Sequence, residues 1–188
     1  MAGPELHQEC MTLEGCRTGE AKLSKGYGLA AAHVIHTVGP RYNVKYRTAA
    51  ENALHSCYRN VLQVAKENKI RAVAFCCVNS ERKGYPPEDA VHIALRTVRR
   101  FLERWGPDID RIVFAVDAKN VEAYRTALPL YFPRSDEEEL AARELLPEDT
   151  GNELGETVSE ERKIRISEFP RPPPQTALPT QATADASG

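Results

Sequence analysis

No apolar segment of this 188-residue chain approaches the roughly 20 residues that a helix needs to cross a bilayer. The amino terminus, Met1-Ala2-Gly3-Pro4-Glu5, also lacks the basic and apolar regions of a secretory signal peptide. From these two absences we expect neither a membrane-spanning segment nor a secreted precursor of the usual kind. We therefore expect an intracellular, cytoplasmic protein.

An excess of one charge sign is also absent, because the formal net charge is only -2 at pH 7. A chain this close to neutral is not one that coats nucleic acid through its overall charge, although a local basic face can still bind phosphates. With 41% hydrophobic and 28% charged residues, the composition is ordinary for a soluble globular protein. Composition alone therefore indicates no partner.

The five cysteines form no pattern that indicates a disulfide framework or a zinc site. They stand at positions 10, 16, 57, 76 and 77, without CxxC spacing or a paired histidine motif. Cys57 falls on the apolar stripe of a predicted helix, and Cys76 and Cys77 lie inside an apolar run. We expect reduced, mostly buried thiols, and the sequence identifies no base that would activate a nucleophilic cysteine.

Hydrophobic residues become scarce after Phe132-Pro133-Arg134. The stretch beyond contains an acidic run, Asp136-Glu137-Glu138-Glu139, and a proline-rich segment, Pro170-Arg171-Pro172-Pro173-Pro174. Because little there can be buried, the sequence predicts a domain over 1–134 and a largely disordered tail or linker over 135–188. The proline segment either docks a protein partner of the SH3 or WW type or serves as a plain spacer, which is the commoner use.

Strand and helix patterns alternate through the predicted domain. Apolar strands are predicted at 34–38, 72–78 and 111–116. Helices are predicted at 5–13, 47–68, 87–105 and from Val121 to Pro129, where the proline should end the last one. The β-α-β-α-β-α order predicts an α/β fold with a mostly parallel sheet covered by helices. Three strands make a small sheet and none precedes the first helix, so we expect the leading strands to be missing.

Several ordered stretches resemble the macro domain family. They are Gly19-Glu20-Ala21, Gly26-Tyr27, Val34-Ile35-His36-Thr37-Val38-Gly39-Pro40, Gly84-Tyr85-Pro86 and Leu128-Pro129-Leu130-Tyr131-Phe132-Pro133. The resemblance covers residues 2–134 and implies a three-layer α/β/α fold that binds ADP-ribose or related nucleotides. Some family members hydrolyse ADP-ribosyl bonds, and others bind poly-ADP-ribose or RNA. Other stretches, such as 56–63 and 93–103, resemble one member whose macro domain precedes a CRAL-TRIO domain, which has no match here.

The segment after the strand at 72–78 corresponds to the family's second phosphate loop, which typically reads Ser-Thr-Gly-x-Tyr/Phe-Gly. The candidate ligand-binding residues are Asn79, Ser80, Glu81, Arg82, Lys83, Gly84 and Tyr85. Backbone N–H groups and the positive end of the next helix converge on a loop in this position, which favours phosphate binding. Only Ser80 and Gly84 come close to the family pattern.

Glu81 and Lys83 stand where the family has a glycine and an aromatic ring. Glu81 adds bulk where the backbone would approach a diphosphate, and it places a negative charge beside the anion. At ~4 Å and an effective dielectric constant of about 20, such a like-charge contact costs about 4 kcal/mol. Lys83 gives up the stacking of a ring but supplies, with Arg82, a cation for phosphate. The loop therefore fits a different anion, or none.

The family's first ligand loop, an asparagine-rich strand end followed by a glycine-rich phosphate loop, has no match in this chain. The positions that usually orient the catalytic water and the distal ribose are lost with it. The resemblance therefore implies no catalytic residue, no metal and no cofactor, and an ADP-ribosyl hydrolase is the least expected activity. His36 lies in a strand that should be buried, so we interpret it as a core histidine rather than a catalytic base.

A basic cluster lies on the predicted helix at 87–105, opposite its apolar stripe. Its members are Arg96, Arg99, Arg100 and Arg104. One interpretation is a solvated helix face, and the other is a polyanion face that contacts the phosphates of RNA. Because Glu103 interrupts the cluster and no aromatic platform is interleaved, the pattern favours the solvated face.

Two functions from different classes remain. The first is a non-catalytic macro-type module that weakly binds an ADP-ribose-like nucleotide or a polyanion, such as poly-ADP-ribose or RNA, through the loop at 79–85. The second is a structural or protein-interaction segment whose ligand pocket has decayed. If Arg82 and Lys83 face the pocket, charge swaps there weaken polyanion binding and flatten its salt dependence, which separates the two.

Overall fold

The computed structural model describes residues 2–78 and 83–158. The helices are α1 (Pro4–Thr12), α2 (Arg47–Glu67), α3 (Pro87–Trp105), α4 (Val121–Tyr131) and α5 (Asp136–Leu145). The strands are β1 (Ala21–Lys25), β2 (His33–Thr37), β3 (Ala72–Cys76) and β4 (Arg111–Ala115). Single turns of 3-10 helix cover Val44–Tyr46 and Gly106–Asp108. None of the described helices is long and apolar enough to cross a membrane.

The described strands form two ladders of two strands each. β1 and β2 are antiparallel, with Ala21 opposite Thr37 and Lys25 opposite His33. β3 and β4 are parallel, in a register that runs from Ala72 opposite Arg111 to Cys76 opposite Ala115. The predicted α/β class is confirmed. The three predicted strands are also present, and their observed ends differ from the predicted ends by two residues or fewer. β1 was not predicted. Because it pairs with β2, one of the two described ladders is antiparallel.

The main core lies between the β3–β4 ladder and the helices α2 and α3. Its fully buried residues include Leu54, Tyr58 and Leu62 of α2 and Ile93, Ala94 and Val98 of α3. On the ladder side, Phe75 contacts the ring of Tyr58 at 5.2 Å and that of Phe114 at 5.9 Å between centroids. Burial of these apolar side chains holds both helices on one face of the ladder.

The opposite face of the β3–β4 ladder is exposed within the described residues. Its members are Ala72, Ala74, Cys76, Arg111, Val113 and Ala115. The prediction that Cys76 is buried is therefore wrong, whereas Cys57 is buried and Cys77 is partly buried. The segment Ala-Val-Ala-Phe-Cys reads as uniformly apolar in sequence, but only Val73 and Phe75 point into the core.

Pro129 does not end α4, which continues to Tyr131. The missing N–H of a proline removes one backbone hydrogen bond from the helix. The final turn still closes, because the N–H of Phe132 donates to the carbonyl of Leu128 at 2.9 Å. A proline this close to the end of a helix therefore costs one bond without breaking the turn.

The compact unit extends to Val158 rather than ending at Arg134. Ser135 caps α5 by accepting a hydrogen bond from the N–H of Glu138, and Ala142 packs the helix against the domain with its side chain 5% exposed. The residues 135–158, predicted as tail, are therefore part of the fold. The remainder of the predicted tail, including the proline segment at 170–174, lies outside the described residues.

Candidate functional site

The carboxyl ends of β2 and β3 meet where Gly39 lies against Val78. A Cβ atom on Gly39 would stand 2.7 Å from the carbonyl oxygen of Val78, closer than real Cβ atoms approach backbone. Each residue follows its strand by two positions, so β2 and β3 end at the same edge of the molecule. Only a glycine permits this contact. The predicted ligand loop follows Val78, so it begins at the carboxyl ends of the strands, where α/β folds typically bind ligands.

The described part of the predicted ligand loop is Lys83, Gly84 and Tyr85. The ammonium of Lys83 donates to the carbonyl of Gly39 at 3.1 Å, and the carbonyl of Lys83 accepts from the N–H of Tyr42 at 2.8 Å. Gly84 has a φ of +66°. These two hydrogen bonds join the loop to the turn that follows β2. The other predicted ligand residues, Asn79, Ser80, Glu81 and Arg82, lie outside the described residues.

Tyr85 is part of the core rather than an open binding surface. Its side chain is 6% exposed, and its ring centroid lies 4.8 Å from that of Tyr42. Burial, followed by the negative charges of Glu51 and Asp89, raises the pKa of Tyr85 well above its usual value. The phenol therefore stays neutral and packs the loop against α3. Gly39 and Tyr42 were not predicted as site residues, although a glycine directly after a strand was a usable signal.

The first turn of α3 is acidic, which disfavours an anion there. Two prolines, Pro86 and Pro87, precede Glu88 and Asp89, and Asp89 lies 3.7 Å from the guanidinium of Arg47. Carboxylates in this position stabilise the helix dipole but compete with phosphate for its N–H groups.

A cleft of about 230 Å³ adjoins Tyr85 on the side of α3. Its charged lining groups are Glu51, Asp89, Asp149, Arg47 and Arg96. Three carboxylates therefore face two guanidiniums, which makes this side of Tyr85 a poor site for a diphosphate. Lys83, which contacts Gly39, does not belong to the lining of this cleft.

Arg96 is buried, so the interpretation that places it on a solvated or polyanion-binding face is wrong. Its side chain is 5% exposed and forms ion pairs with Glu51 at 2.8 Å and with Asp149 at 3.7 Å. It also donates to the carbonyl of Gly155 and to the hydroxyl of Thr157. Arg96 therefore fixes the segment after α5 onto α3.

The other predicted cluster members are partly neutralised. Arg99 and Arg100 each hydrogen-bond Glu103 at 2.9 Å. Partial burial is the largest single influence on the pKa of the Glu103 carboxyl and raises it, but the hydrogen bonds and charges of the two arginines together lower that pKa below its usual value. Arg104 lies over the ring of Trp105 at 5.1 Å. Glu103 therefore offsets part of the positive charge of Arg99 and Arg100.

His36 is held by a structural contact. Its Nε2 atom lies 2.7 Å from the hydroxyl of Ser24 and 3.9 Å from the sulfur of Cys10. Ser24 is 2% exposed, whereas His36 itself is only partly buried, so the strand does not bury this histidine as fully as predicted. Throughout 2–78 and 83–158, no group of three or more His, Cys, Asp or Glu is placed to hold a metal ion.

The chain matches one family model, described as Macro domain, over residues 1–94. Ganglioside-induced differentiation-associated protein 2 of Xenopus tropicalis is 59% identical over 169 residues, which are 90% of this chain and 34% of that protein. The human protein of that name is 58% identical over 173 residues, which are 92% of this chain and 35% of that protein. The chain therefore spans about a third of the length of these curated relatives.

Solved structures give the same result for the fold. The macro domain of ganglioside-induced differentiation-associated protein 2 (GDAP2) aligns with a TM-score of 0.70 and 61% identity, over 71% of this chain and 67% of that chain. The Trypanosoma brucei macrodomain in complex with ADP-ribose aligns with a TM-score of 0.62 and 41% identity, over 68% of this chain and 53% of that chain. The Oceanobacillus iheyensis macrodomain with ADP aligns with a TM-score of 0.64 and 29% identity, over 71% of this chain and 73% of that chain.

Proposed function

Because the chain belongs to the macro domain family, we propose that it is a non-catalytic module that binds an ADP-ribose-like nucleotide weakly. One observation carries the proposal: the ends of β2 and β3 meet at Gly39 and Val78, and the ammonium of Lys83 lies 3.1 Å from the Gly39 carbonyl. Family members from Trypanosoma brucei and Oceanobacillus iheyensis have been solved with ADP-ribose and ADP. These bound molecules support a nucleotide as the ligand class of this chain.

Lys83 is the described residue suited to contact a phosphate at this edge. A lysine ammonium has three N–H donors, and the carbonyl of Gly39 accepts one of them. Among the described residues this ammonium contacts no second acceptor, so its other donors are offered to a diphosphate oxygen. A hydrogen bond to a charged group contributes about 1.5–3 kcal/mol. The ring of Tyr42 packs on Tyr85, and the N–H of Tyr42 donates to the carbonyl of Lys83, so this ring belongs to the same pair of loops.

The binding is weak for two electrostatic reasons. The first turn of α3 carries Glu88 and Asp89, and Glu81 occupies the loop position at which the family has glycine. A micromolar complex has a binding free energy of about -8 kcal/mol. One uncompensated like-charge contact of about 4 kcal/mol would bring its dissociation constant close to the millimolar range.

One feature supports a module without catalysis. Hydrolysis of an ADP-ribosyl bond needs a base that activates water beside the ligand. In the described part of the loop, burial raises the pKa of the Tyr85 phenol, so this side chain stays protonated and is not such a base.

Titration calorimetry with ADP-ribose tests the proposal, with the GDAP2 macro domain titrated in parallel as the reference. We expect a saturable signal from this chain, weaker than a micromolar complex. A second assay incubates the chain with an ADP-ribosylated protein and measures released ADP-ribose, and we expect no release above the buffer rate. Absence of any heat with millimolar ADP-ribose, or catalytic release, would contradict the proposal.

A second candidate function is a structural or protein-interaction segment. The exposed apolar face of the β3–β4 ladder favours it, because Val113 is 45% exposed beside Ala72 and Ala74. Capture of a folded partner through this face, in a protein that does not bind ADP-ribose, would select this candidate over the nucleotide module.

A further inference from the structure

The cleft beside Tyr85, which we call the acidic cleft, lies between α2, α3 and the segment that follows α5. Its volume of about 230 Å³ is smaller than the roughly 300–1,000 Å³ of pockets that hold drug-sized ligands. Ile93 and Pro147 are apolar members of its lining. The acidic cleft therefore has room for a small molecule or a single side chain with a short apolar body.

The lining of the acidic cleft has an excess of negative charge. Its charged side chains are Glu51, Asp89, Asp149, Arg47 and Arg96. The three carboxylates outnumber the two guanidiniums by one. His92 also lines the cleft but adds no charge at neutral pH, because burial lowers its pKa from its usual 6.5. A cleft with this charge attracts a cation and repels a phosphate.

Asp89 is the carboxylate of the cleft that is best placed to bind a ligand. The guanidinium of Arg96 lies 2.8 Å from Glu51 and 3.7 Å from Asp149, so one buried cation holds both of these carboxylates. The ion pair of Asp89 is a contact of 3.7 Å with Arg47, whose side chain is 63% exposed. Since an exposed pair of this kind contributes little, Asp89 can exchange it for a ligand cation.

The hydroxyl of Tyr85 is a second polar group that faces the cleft. The Tyr85 side chain is 6% exposed, and its hydroxyl forms no hydrogen bond with any residue in 2–78 or 83–158. After burial, the negative charges of Glu51 and Asp89 contribute most to its raised pKa, so the hydroxyl lies on the cleft side of the ring. Buried polar groups are normally hydrogen-bonded, and this one points to a ligand atom as its partner.

We propose that the acidic cleft binds a primary ammonium group carried on a short apolar chain. The ammonium pairs with Asp89 and donates a hydrogen bond to the oxygen of Tyr85, while the chain lies against Ile93 and Pro147. An ammonium has three N–H donors and no acceptor, which suits a carboxylate together with a phenol oxygen. A metal ion fits less well, because within the described ranges no group of three or more His, Cys, Asp or Glu is placed to hold one.

An NMR titration of the full chain with butylammonium chloride tests this proposal, with sodium chloride adjusted to keep the ionic strength constant. Butanol has the same carbon chain without the charge, and we expect it to bind at least ~10-fold more weakly. We expect saturable shifts of the Asp89 and Ile93 amides with butylammonium. The peptide acetyl-Gly-Lys-Gly-amide is titrated in parallel. Saturation by this peptide as well identifies a lysine side chain as the source of the ammonium, and saturation by butylammonium alone identifies a free amine.

Two pairs of variants locate the ammonium. Asp89→Asn and Glu88→Gln each remove one carboxylate from the first turn of α3, but Glu88 does not line the cleft. Tyr85→Phe removes one hydroxyl, and Tyr42→Phe removes a hydroxyl from the neighbouring ring, which does not line the cleft either. We expect at least ~5-fold weaker butylammonium binding by Asp89→Asn and by Tyr85→Phe, and unchanged binding by the two controls.

The proposal is overturned by saturation with neither ammonium source, by equal affinities for butanol and butylammonium, or by equal effects of Asp89→Asn and Glu88→Gln. The acidic cleft does not include Lys83, and the titrations contain no ADP-ribose. Failure of this proposal is therefore distinguishable from failure of the nucleotide proposal.

Discussion

Lys83 and Gly39 are joined by a hydrogen bond of 3.1 Å from the lysine ammonium to the glycine carbonyl. The two residues are 44 positions apart and belong to the loops that follow β3 and β2. Their contact joins the two loops at the strand ends where we propose the nucleotide site. Its strength depends on the close approach of Gly39 to Val78, because a larger residue would separate the two loops.

Gly39→Ala tests that approach. The added Cβ would stand 2.7 Å from the Val78 carbonyl, and backbone in this position cannot move aside without disturbing β3. We expect a loss of about 1–3 kcal/mol in the free energy of unfolding, measured by urea denaturation. Gly106→Ala is the control, since a Cβ there meets nothing within 4 Å and φ is -50°. Equal stability of the two variants would contradict the contact.

Arg96→Ala tests the attachment of residues 146–158 to α3. The change leaves Glu51 without its buried partner and removes the bonds to Gly155 and Thr157. Breaking a buried ion pair costs about 3–5 kcal/mol, and we expect a loss of that size together with rapid proteolysis of the segment after α5.

The control for Arg96→Ala is Arg99→Ala, because the Arg99 side chain is 43% exposed and its partner is a surface carboxylate. Exposed pairs contribute little, so stability should change by less than about 1 kcal/mol. Proteolysis at the same rate in both variants would contradict the proposed anchoring role of Arg96.

His92 makes the stability depend on pH. Burial lowers the pKa of His92 from its usual 6.5, Asp89 opposes the shift and Arg96 adds to it. The unfolded chain therefore binds a proton just below pH 6.5 that the folded chain does not bind, so stability falls as the pH drops through this range. Its Nδ1 atom also lies 3.1 Å from the hydroxyl of Tyr131.

Urea unfolding at about pH 7.5 and about pH 5.5 checks this prediction. We expect the midpoint of the unmodified protein to fall more on acidification than that of His92→Gln. His33→Gln, at an exposed position of β2, should keep the full dependence. An identical slope for all three proteins would show that His92 does not carry the effect.

The helices α1 to α4 were predictable because their signals are local, whereas α5 lies in the stretch that was predicted as a tail. Pro87 at the start of α3 and the apolar stripe up to Trp105 gave both ends of that helix as observed. β1 carried only a weak signal, since Ala21 and Leu23 alternate with Lys22 and Ser24 over too few residues to predict a strand. It is a strand because it pairs with β2, and pairing partners are not visible in a local pattern.

The site was only partly predictable for a related reason. The order of strands and helices predicted that the loop at 79–85 lies at the carboxyl ends of the strands. The burial of Arg96 did not, because its partners Glu51 and Asp149 are 45 and 53 positions away and a buried arginine looks like a surface one in a helical pattern. The role of Gly39 likewise depends on a distant contact with Val78.

Titration of ADP-ribose into the unmodified chain, Lys83→Ala and Lys25→Ala tests the central claim most directly. Both variants lose one positive charge, but Lys25 is exposed on β1, outside the proposed site. We predict a dissociation constant between roughly 10 µM and 1 mM for the unmodified chain and for Lys25→Ala, and at least ~10-fold weaker binding by Lys83→Ala. No binding by the unmodified chain, or equal binding by all three, would contradict the account.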